Sequence, residues 1–104
     1  MEHTKTPWRV GSPYRMGSVV ADEPVPEIGG SDAVDYYGGH LVAESIAPRN
    51  AEFIVRACNA HAQLVAALLV ADDFMSGFEG DDMQEGIDTK ITQVRRALAA
   101  AGAA

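Results

Sequence analysis

Four polar side chains, three of them able to contact a phosphorylated ligand, recur at helical spacing in the middle of the chain. They are Glu52, Arg56, Asn59 and Gln63. At 3.6 residues per turn these side chains lie within about 60° of one another on a helix surface. An arginine binds phosphate bidentately, and the two amides offer both donor and acceptor edges. This polar strip is a candidate ligand site, and its alternative is a solvated helix face with an ordinary surface ion pair.

Catalytic chemistry is not indicated by the same segment. Cys58 and His61 are three residues apart, but His61 belongs to the apolar side of the helix and no third group nearby would orient a Cys–His pair. One cysteine and three scattered histidines fall short of a closed zinc site. The seven carboxylates between Asp72 and Asp88 match no calcium-binding loop. We therefore predict no enzyme, no metal site and no cofactor.

Further cations and planar rings lie elsewhere in the sequence. Trp8 and Arg9 are adjacent near the N-terminus, Tyr36 and Tyr37 lie in a glycine-rich segment, and Arg95 borders the apolar stripe of the last helix. Aromatic rings and cations of this kind stack on and neutralise a nucleotide. Each also has a structural alternative. The tryptophan would anchor the core, the tyrosines would cover its edge, and the arginine would complement the negative end of a helix.

Composition narrows the classes of partner. The formal charge is −7 over 104 residues, which argues against a nucleic-acid polymer or an anionic membrane as the partner. A small anionic ligand is still compatible, because it requires only two or three local arginines. One cysteine, no apolar N-terminal segment and no uninterrupted apolar run of about 20 residues predict a cytoplasmic protein without a membrane span.

The N-terminal half has the pattern of a small sheet. Three strands are predicted within residues 7–46, in the runs Pro7–Val10, Ser18–Ala21 and His40–Ile46, which are rich in β-branched and apolar residues. The segment Pro24–Gly39 contains two prolines and four glycines and is predicted to be a loop.

The C-terminal half has the pattern of two helices. We predict a first helix at residues 51–71 with Asn50 as its N-cap, an acidic linker at 72–81 and a second helix at 82–100. Asp82 and Glu85 resemble a capping box for the second helix. The predicted fold is therefore a single α+β domain, in which a three-stranded antiparallel sheet packs on two C-terminal helices.

The first helix is too apolar to be covered by one shallow sheet. Most of its circumference outside the polar strip is Phe, Ile, Val, Ala, Cys and Leu, and such a helix must be buried by its own domain or by a partner subunit. A sheet of three short strands also leaves open edges. Both properties predict a homo-oligomer.

Several segments together carry a family resemblance. They are the opening Thr6-Pro7-Trp8, the run Val19-Val20-Ala21-Asp22, the run Leu41-Val42-Ala43, and Asn50–His61 followed by a leucine-rich helix. This pattern resembles a set of small, mostly uncharacterised proteins of tailed phages and prophages. The resemblance implies a viral accessory protein that acts in the bacterial host cytoplasm, and no enzyme activity is established for the set.

The layout is more remotely similar to phage sponge proteins, which sequester cyclic nucleotide or cyclic ADP-ribose signals made by bacterial immune systems such as Thoeris and CBASS. This similarity implies an oligomer that binds a small signalling nucleotide. The ligand-binding residues predicted on that basis are Arg56, Asn59, Arg9, Arg95, Trp8, Tyr36 and Tyr37. Two alternatives stay open, namely an acidic inhibitor that binds a host defence protein through the linker, and a phage structural or assembly protein.

Overall fold

The computed structural model describes residues 3–26 and 34–103. A three-stranded antiparallel sheet is followed by two long helices, so the predicted α+β class is confirmed. The described contacts fall into two compact units, Met1–Ala60 and His61–Ala104. Residues 27–33 of the predicted Pro24–Gly39 loop lie outside the described part of the chain.

The sheet has the strand order β1-β2-β3, with β1 at Trp8–Val10, β2 at Val19–Ala21 and β3 at His40–Ala43. The central strand β2 pairs with both neighbours, and its three residues Val19, Val20 and Ala21 are fully buried. Continuous apolar runs of this kind are typical of strands that are covered on both faces. The sheet thus forms the core of the first unit.

A short helix, α1 at Val34–Tyr37, precedes β3 inside the segment that was predicted to be a loop. Gly38 ends this helix with a φ of 82° and donates its backbone N–H to the carbonyl of Val34 at 2.8 Å. A glycine reaches this left-handed conformation at little cost. The loop prediction missed one helical turn, because the surrounding glycines and prolines concealed it.

Helix α2 runs from Pro48 to Ser76 and exceeds the predicted bounds 51–71 at both ends. Its first turn accepts proline because the N–H that proline lacks has no helical partner there. The carbonyl of Ala47 accepts the N–H of Ala51 at 3.0 Å. The predicted N-cap Asn50 therefore lies inside the helix. At the other end Asp72 and Asp73 remain within the helix, because aspartate does not break a helix. The helix ends before Gly77, the first residue of low helix propensity in this segment.

Helix α3 begins at Ile87 and ends at Ala100, whereas the sequence predicted a start at residue 82. Gly86 precedes it with a φ of 75°, and this left-handed residue separates the helix from the acidic turn before it. The predicted capping box of Asp82 and Glu85 therefore does not cap α3. Ile91 and Leu98 of the predicted apolar stripe are 2% exposed, which identifies the stripe as the buried face.

In the described part of the chain, one helix meets the length and composition requirements for crossing a membrane. It is α2, and the property rests on length and hydropathy alone. The sequence analysis predicted no such segment, because Glu, Arg, Asn, His and Gln interrupt the apolar run. The mean hydropathy of α2 is nevertheless high enough, because its apolar residues outnumber these polar ones. A single helix of this kind is weak evidence for a membrane protein.

An asparagine side chain joins α2 to the edge of the sheet. The Trp8 backbone N–H donates to Asn59 Oδ1 at 2.6 Å, and Asn59 Nδ2 donates to the Trp8 carbonyl at 2.8 Å. Strand β1 pairs with β2 on one side only, so its other side presents unpaired backbone groups. The Asn59 amide satisfies one N–H and one C=O of that edge as a neighbouring strand would.

Replacing Asn59 with alanine is expected to lower the free energy of unfolding by about 1–3 kcal/mol, because two hydrogen bonds of about 0.5–1.5 kcal/mol each are lost. Urea denaturation measures this change. The matched control is Gln63→Ala, which removes an exposed amide one turn further along the same helix and is expected to stay within about 0.5 kcal/mol of the wild type. Equal effects of the two substitutions would contradict the structural role of Asn59.

Candidate ligand-binding site

An open depression of about 260 Å³ lies on the first unit beside the sheet. Three segments line it: the 3₁₀ turn Pro13–Arg15 with the residues that follow it, helix α1, and the residues just after β3. The lining residues are Tyr14, Arg15, Gly17, Ser18, Tyr36, Tyr37, Glu44 and Ser45. We call this depression the tyrosine pocket.

Backbone hydrogen bonds hold the three segments together. Ser12 donates its N–H to the carbonyl of Tyr37 at 2.9 Å, which ties the 3₁₀ turn to α1. Ile46 donates to the carbonyl of Gly17 at 2.9 Å, which ties the chain after β3 to the end of the same turn. A Cβ on Gly17 would lie 2.4 Å from the Ile46 carbonyl oxygen. The close approach that shapes the pocket floor therefore requires glycine at this position.

A cation and two aromatic rings stack at the centre of the pocket. The guanidinium carbon of Arg15 lies 3.8 Å from the centre of the Tyr36 ring, well inside the range of cation–π attraction. The Tyr36 and Tyr37 rings meet edge to face, with centres 4.8 Å apart and planes at 80°. Arg15 Nη1 also donates to the Tyr14 carbonyl at 2.8 Å. These contacts preorganise a planar cation next to planar rings.

Two polar groups of the pocket, the Arg15 Nε atom and the Tyr37 hydroxyl, differ in their hydrogen bonding. The Nε atom of Arg15 is buried, and no hydrogen-bond partner is found for it within residues 3–26 and 34–103. The hydroxyl of Tyr37 donates to the carboxylate of Glu44. This hydrogen bond, followed by desolvation and the negative charge of Glu44, raises the pKa of Tyr37 above 10.0. The phenol therefore stays protonated at neutral pH and donates to the Glu44 carboxylate.

The chemistry of the tyrosine pocket is that of recognition. Its rings can stack on a planar base, its arginine can neutralise an anion, and its carboxylate can accept hydrogen bonds from amino and imino groups. Within the described residues, no group of three or more His, Cys, Asp or Glu side chains could hold a metal ion. The lining residues of the pocket include neither histidine nor cysteine.

Two of the predicted ligand-binding residues, Tyr36 and Tyr37, line this pocket, and the other five do not. Asn59 bonds to the Trp8 backbone, as described above, and Trp8 is half-buried with its indole N–H donating to the Thr4 carbonyl at 3.3 Å. The anchoring alternative for Trp8 therefore has direct structural support.

The three predicted arginines have separate environments. Arg9 forms an ion pair with Asp22 at 3.1 Å. Arg95, in the second unit, pairs with Asp72 at 2.9 Å and Glu79 at 3.3 Å, and the hydrogen bond to Asp72 is the largest cause of its raised pKa. Arg56 is exposed and forms no ion pair within the described part of the chain. Both Arg9 and Arg95 would have to leave a carboxylate in order to bind a ligand.

Sequence reasoning missed Arg15, Tyr14 and Glu44. The available signal was Ser12-Pro13 followed by an aromatic residue and a cation, because proline at the start of a turn presents the next side chains together. Nothing local indicates that this turn meets α1, which lies after a long intervening segment. The juxtaposition of Arg15 with Tyr36 is a tertiary contact.

Two other depressions are weaker candidates. One of about 560 Å³ lies along α3 and is lined by Asp88, Thr89, Thr92, Gln93 and Arg96, all of which are exposed residues of one helix. Another of about 230 Å³ lies in the acidic turn before α3. A single exposed helix face offers no aromatic ring and no concave wall, and the acidic turn would repel an anion.

Comparison with known proteins gives no further assignment. No protein-family model, no curated protein and no solved structure matches the chain.

The coupling between Tyr37 and Glu44 has a measurable pH signature. Replacing Glu44 with glutamine is expected to lower the pKa of Tyr37 toward 10.0, because the hydrogen bond to the carboxylate, which is the largest cause of the raised pKa, loses its charged acceptor and the negative charge of Glu44 is removed. The raised pKa contributes stability that is present below about pH 10 and is lost as the pH rises through the folded-state value. The Cζ resonance of ¹³C-labelled tyrosine, followed against pH, gives the pKa directly. Glu52→Gln, which changes a carboxylate on α2, is the control and is expected to leave the pKa of Tyr37 unchanged.

Proposed function

We propose that this chain is a non-catalytic phage or prophage accessory protein that binds a small signalling nucleotide and so counters a host defence. The ligand class is a cyclic nucleotide or a cyclic ADP-ribose, held in the host cytoplasm. The observation that carries the proposal is the stack of Arg15 on Tyr36 beside Tyr37 and Glu44. A protein that only sequesters its ligand requires burial and preorganised contacts, and no reactive group.

Each part of the pocket has a role in this proposal. A nucleobase stacks against the aromatic and guanidinium surfaces, and such stacking is worth about 1–3 kcal/mol per base. The carboxylate of Glu44 accepts from the N–H groups of the base edge. Arg15 also supplies positive charge to a phosphate, while Tyr14, whose side chain is 89% exposed, covers the outer face of the base.

The size of the pocket sets how much of the ligand it holds. About 260 Å³ is slightly less than the roughly 300–1,000 Å³ that is usual for a site enclosing a whole small molecule. One base with part of its sugar fits, and the rest of a cyclic ligand extends beyond the rim. Arg56 is exposed and does not line the pocket, so Arg15 is the cation that this site offers to the phosphates.

A specific observation weakens the acidic-inhibitor alternative. Two of the carboxylates in the acidic segment, Asp72 and Glu79, are already paired with Arg95. The segment therefore presents less free negative charge than its composition suggests. Salt separates the two classes of function, because a protein complex held by rim charges weakens strongly with ionic strength and a buried nucleotide site weakens much less.

The test is a thermal-shift screen of the purified protein against cyclic di- and trinucleotides, cyclic ADP-ribose isomers and their linear counterparts. A ligand at a hundredfold excess over its Kd adds about 2.7 kcal/mol, which raises the Tm by about 10 °C or more for a domain of this size. No shift with any member of the panel would contradict the proposal.

For a ligand that binds, Arg15→Ala and Tyr36→Ala are each expected to weaken affinity about tenfold or more, because each removes a stacking surface. Isothermal titration calorimetry measures the change. Arg96→Ala removes an exposed cation from α3 and is the matched control, with affinity expected to stay within about twofold of the wild type. Loss of affinity in the control alone would place the site on α3 and overturn the assignment to the tyrosine pocket.

A further inference from the structure

A heptad pattern runs along α2 on a face that the chain leaves uncovered. Its positions alternate in steps of four and three residues, which is the spacing of a coiled-coil seam. The seven positions are Phe53, Ala57, Ala60, Leu64, Ala67, Ala71 and Phe74. We call this face the heptad seam. All seven residues are apolar.

The large residues of the heptad seam are exposed to solvent. Phe53 is 65% exposed, Leu64 is 60% exposed and Phe74 is 71% exposed. Among the residues of α2, only Ala51 is fully buried. Contiguous apolar surface of this kind marks an interaction surface. The seam thus requires a partner helix or another apolar environment.

The order of residue sizes along the seam reads the same in both directions. A phenylalanine lies at each end, a leucine lies in the middle, and two alanines separate each large residue from the next. An antiparallel copy of the same helix, centred on Leu64, therefore places each phenylalanine opposite the phenylalanine at the other end of the partner's seam, leucine opposite leucine and alanines opposite alanines. Alanines at the intervening positions let the two helix backbones approach closely. Such a self-complementary face is the requirement of a twofold dimer.

The charges on α2 favour the antiparallel direction. Arg49, Glu52 and Arg56 give the N-terminal part a net positive charge, whereas Asp73 makes the C-terminal part negative and Asp72 beside it is paired with Arg95. An antiparallel pair places each positive part near a negative part of the partner. A parallel pair would bring like charges together, which disfavours association.

The exposed side chains of the heptad seam supply a large part of the area that an interface requires. With about 150–250 Å² of surface per aromatic side chain, the two phenylalanines at their observed exposures contribute roughly 200–340 Å² per chain. The remaining five seam positions and the neighbouring Val70, which is 71% exposed, extend the contact along a helix about 43 Å long. The phenylalanines of two copies thus contribute roughly 400–680 Å² of the roughly 1,200 Å² of total buried area that specific interfaces reach.

We propose that a second copy of this chain packs antiparallel on the heptad seam, with the twofold axis close to Leu64. A lipid bilayer is the competing environment, because α2 is long and apolar enough to cross one. The exposed Arg56, His61 and Gln63 argue for the helix pair, since a span would bury these polar groups in hydrocarbon and a helix pair leaves them in water at its rim.

The first test is the mass of the full chain in solution, by sedimentation equilibrium over a range of concentrations. A dimer is expected, and a monomer at all concentrations would overturn the proposal. Ala67→Glu places a charge on the seam and is expected to weaken dimerisation about tenfold or more. Ala62→Glu introduces the same charge on the opposite side of the helix, at another exposed alanine, and is expected to leave dimerisation unchanged. Circular dichroism confirms that both variants retain their helices, and equal weakening by the two variants would exclude the seam.

The second test determines the direction of the pair without a disruptive charge. In a Cys58→Ala background, Leu64→Cys lies near the proposed axis and is expected to form an intermolecular disulfide on oxidation. Ala57→Cys lies one heptad away, so in an antiparallel pair its two copies are separated by about 21 Å along the axis and do not cross-link. Cross-linking of both variants indicates a parallel pair, and cross-linking of neither excludes the seam. Either result contradicts the proposal.

A third measurement separates the second copy from the bilayer. The wild-type chain is expected to stay unbound when mixed with phosphatidylcholine vesicles and floated on a density gradient. Flotation of the protein as a monomer would show that lipid covers the seam and would overturn the dimer. These results do not depend on whether a nucleotide binds the tyrosine pocket.

Discussion

The constraint on which the first unit depends is the open edge of a sheet with only three short strands. Backbone groups on such an edge either bond to water or recruit another strand. The carboxamide of Asn59 meets this requirement at Trp8, where it accepts from the N–H and donates to the C=O. Through these two bonds β1 is fixed to the first half of α2. Asn59, which the sequence suggested as a ligand-binding residue, is therefore hydrogen-bonded to the edge of the sheet.

The tyrosine pocket follows from the way the remaining segments attach to the sheet. The turn at Pro13–Arg15 and helix α1 are joined by a backbone hydrogen bond, and the chain after β3 is bonded to Gly17. These bonds bring Arg15, Tyr36 and Glu44 to one depression although the sequence separates them. The resulting site combines stacking surfaces with one cation and one anion, which suits recognition of a planar ligand carrying both charge and N–H donors.

Helix α2 connects the two units and presents most of its apolar surface to solvent in a single chain. Its low polarity is compatible with two alternative environments, a lipid bilayer and a second protein helix. Length and composition allow the helix to enter a bilayer, whereas the regular alternation of large and small residues on the heptad seam favours a second protein helix. The distribution of charge along α2 bears on this choice, because burying Arg56 or the two aspartates near the end of the helix in hydrocarbon is costly.

The sequence by itself determined the elements. Apolar and β-branched runs predicted the three strands, and helical periodicity predicted both long helices, because these signals are local. The helix ends were less accurate, since Pro48 starts α2 early and Gly86 delays α3. Tertiary structure decided what the side chains do. The Asn59 side chain is hydrogen-bonded to the backbone of Trp8, which is distant in the sequence. Arg95 is paired with two carboxylates, and Arg15 packs over the Tyr36 ring. Each of these contacts depends on how segments that are distant in the sequence pack together, and no local sequence pattern encodes that packing.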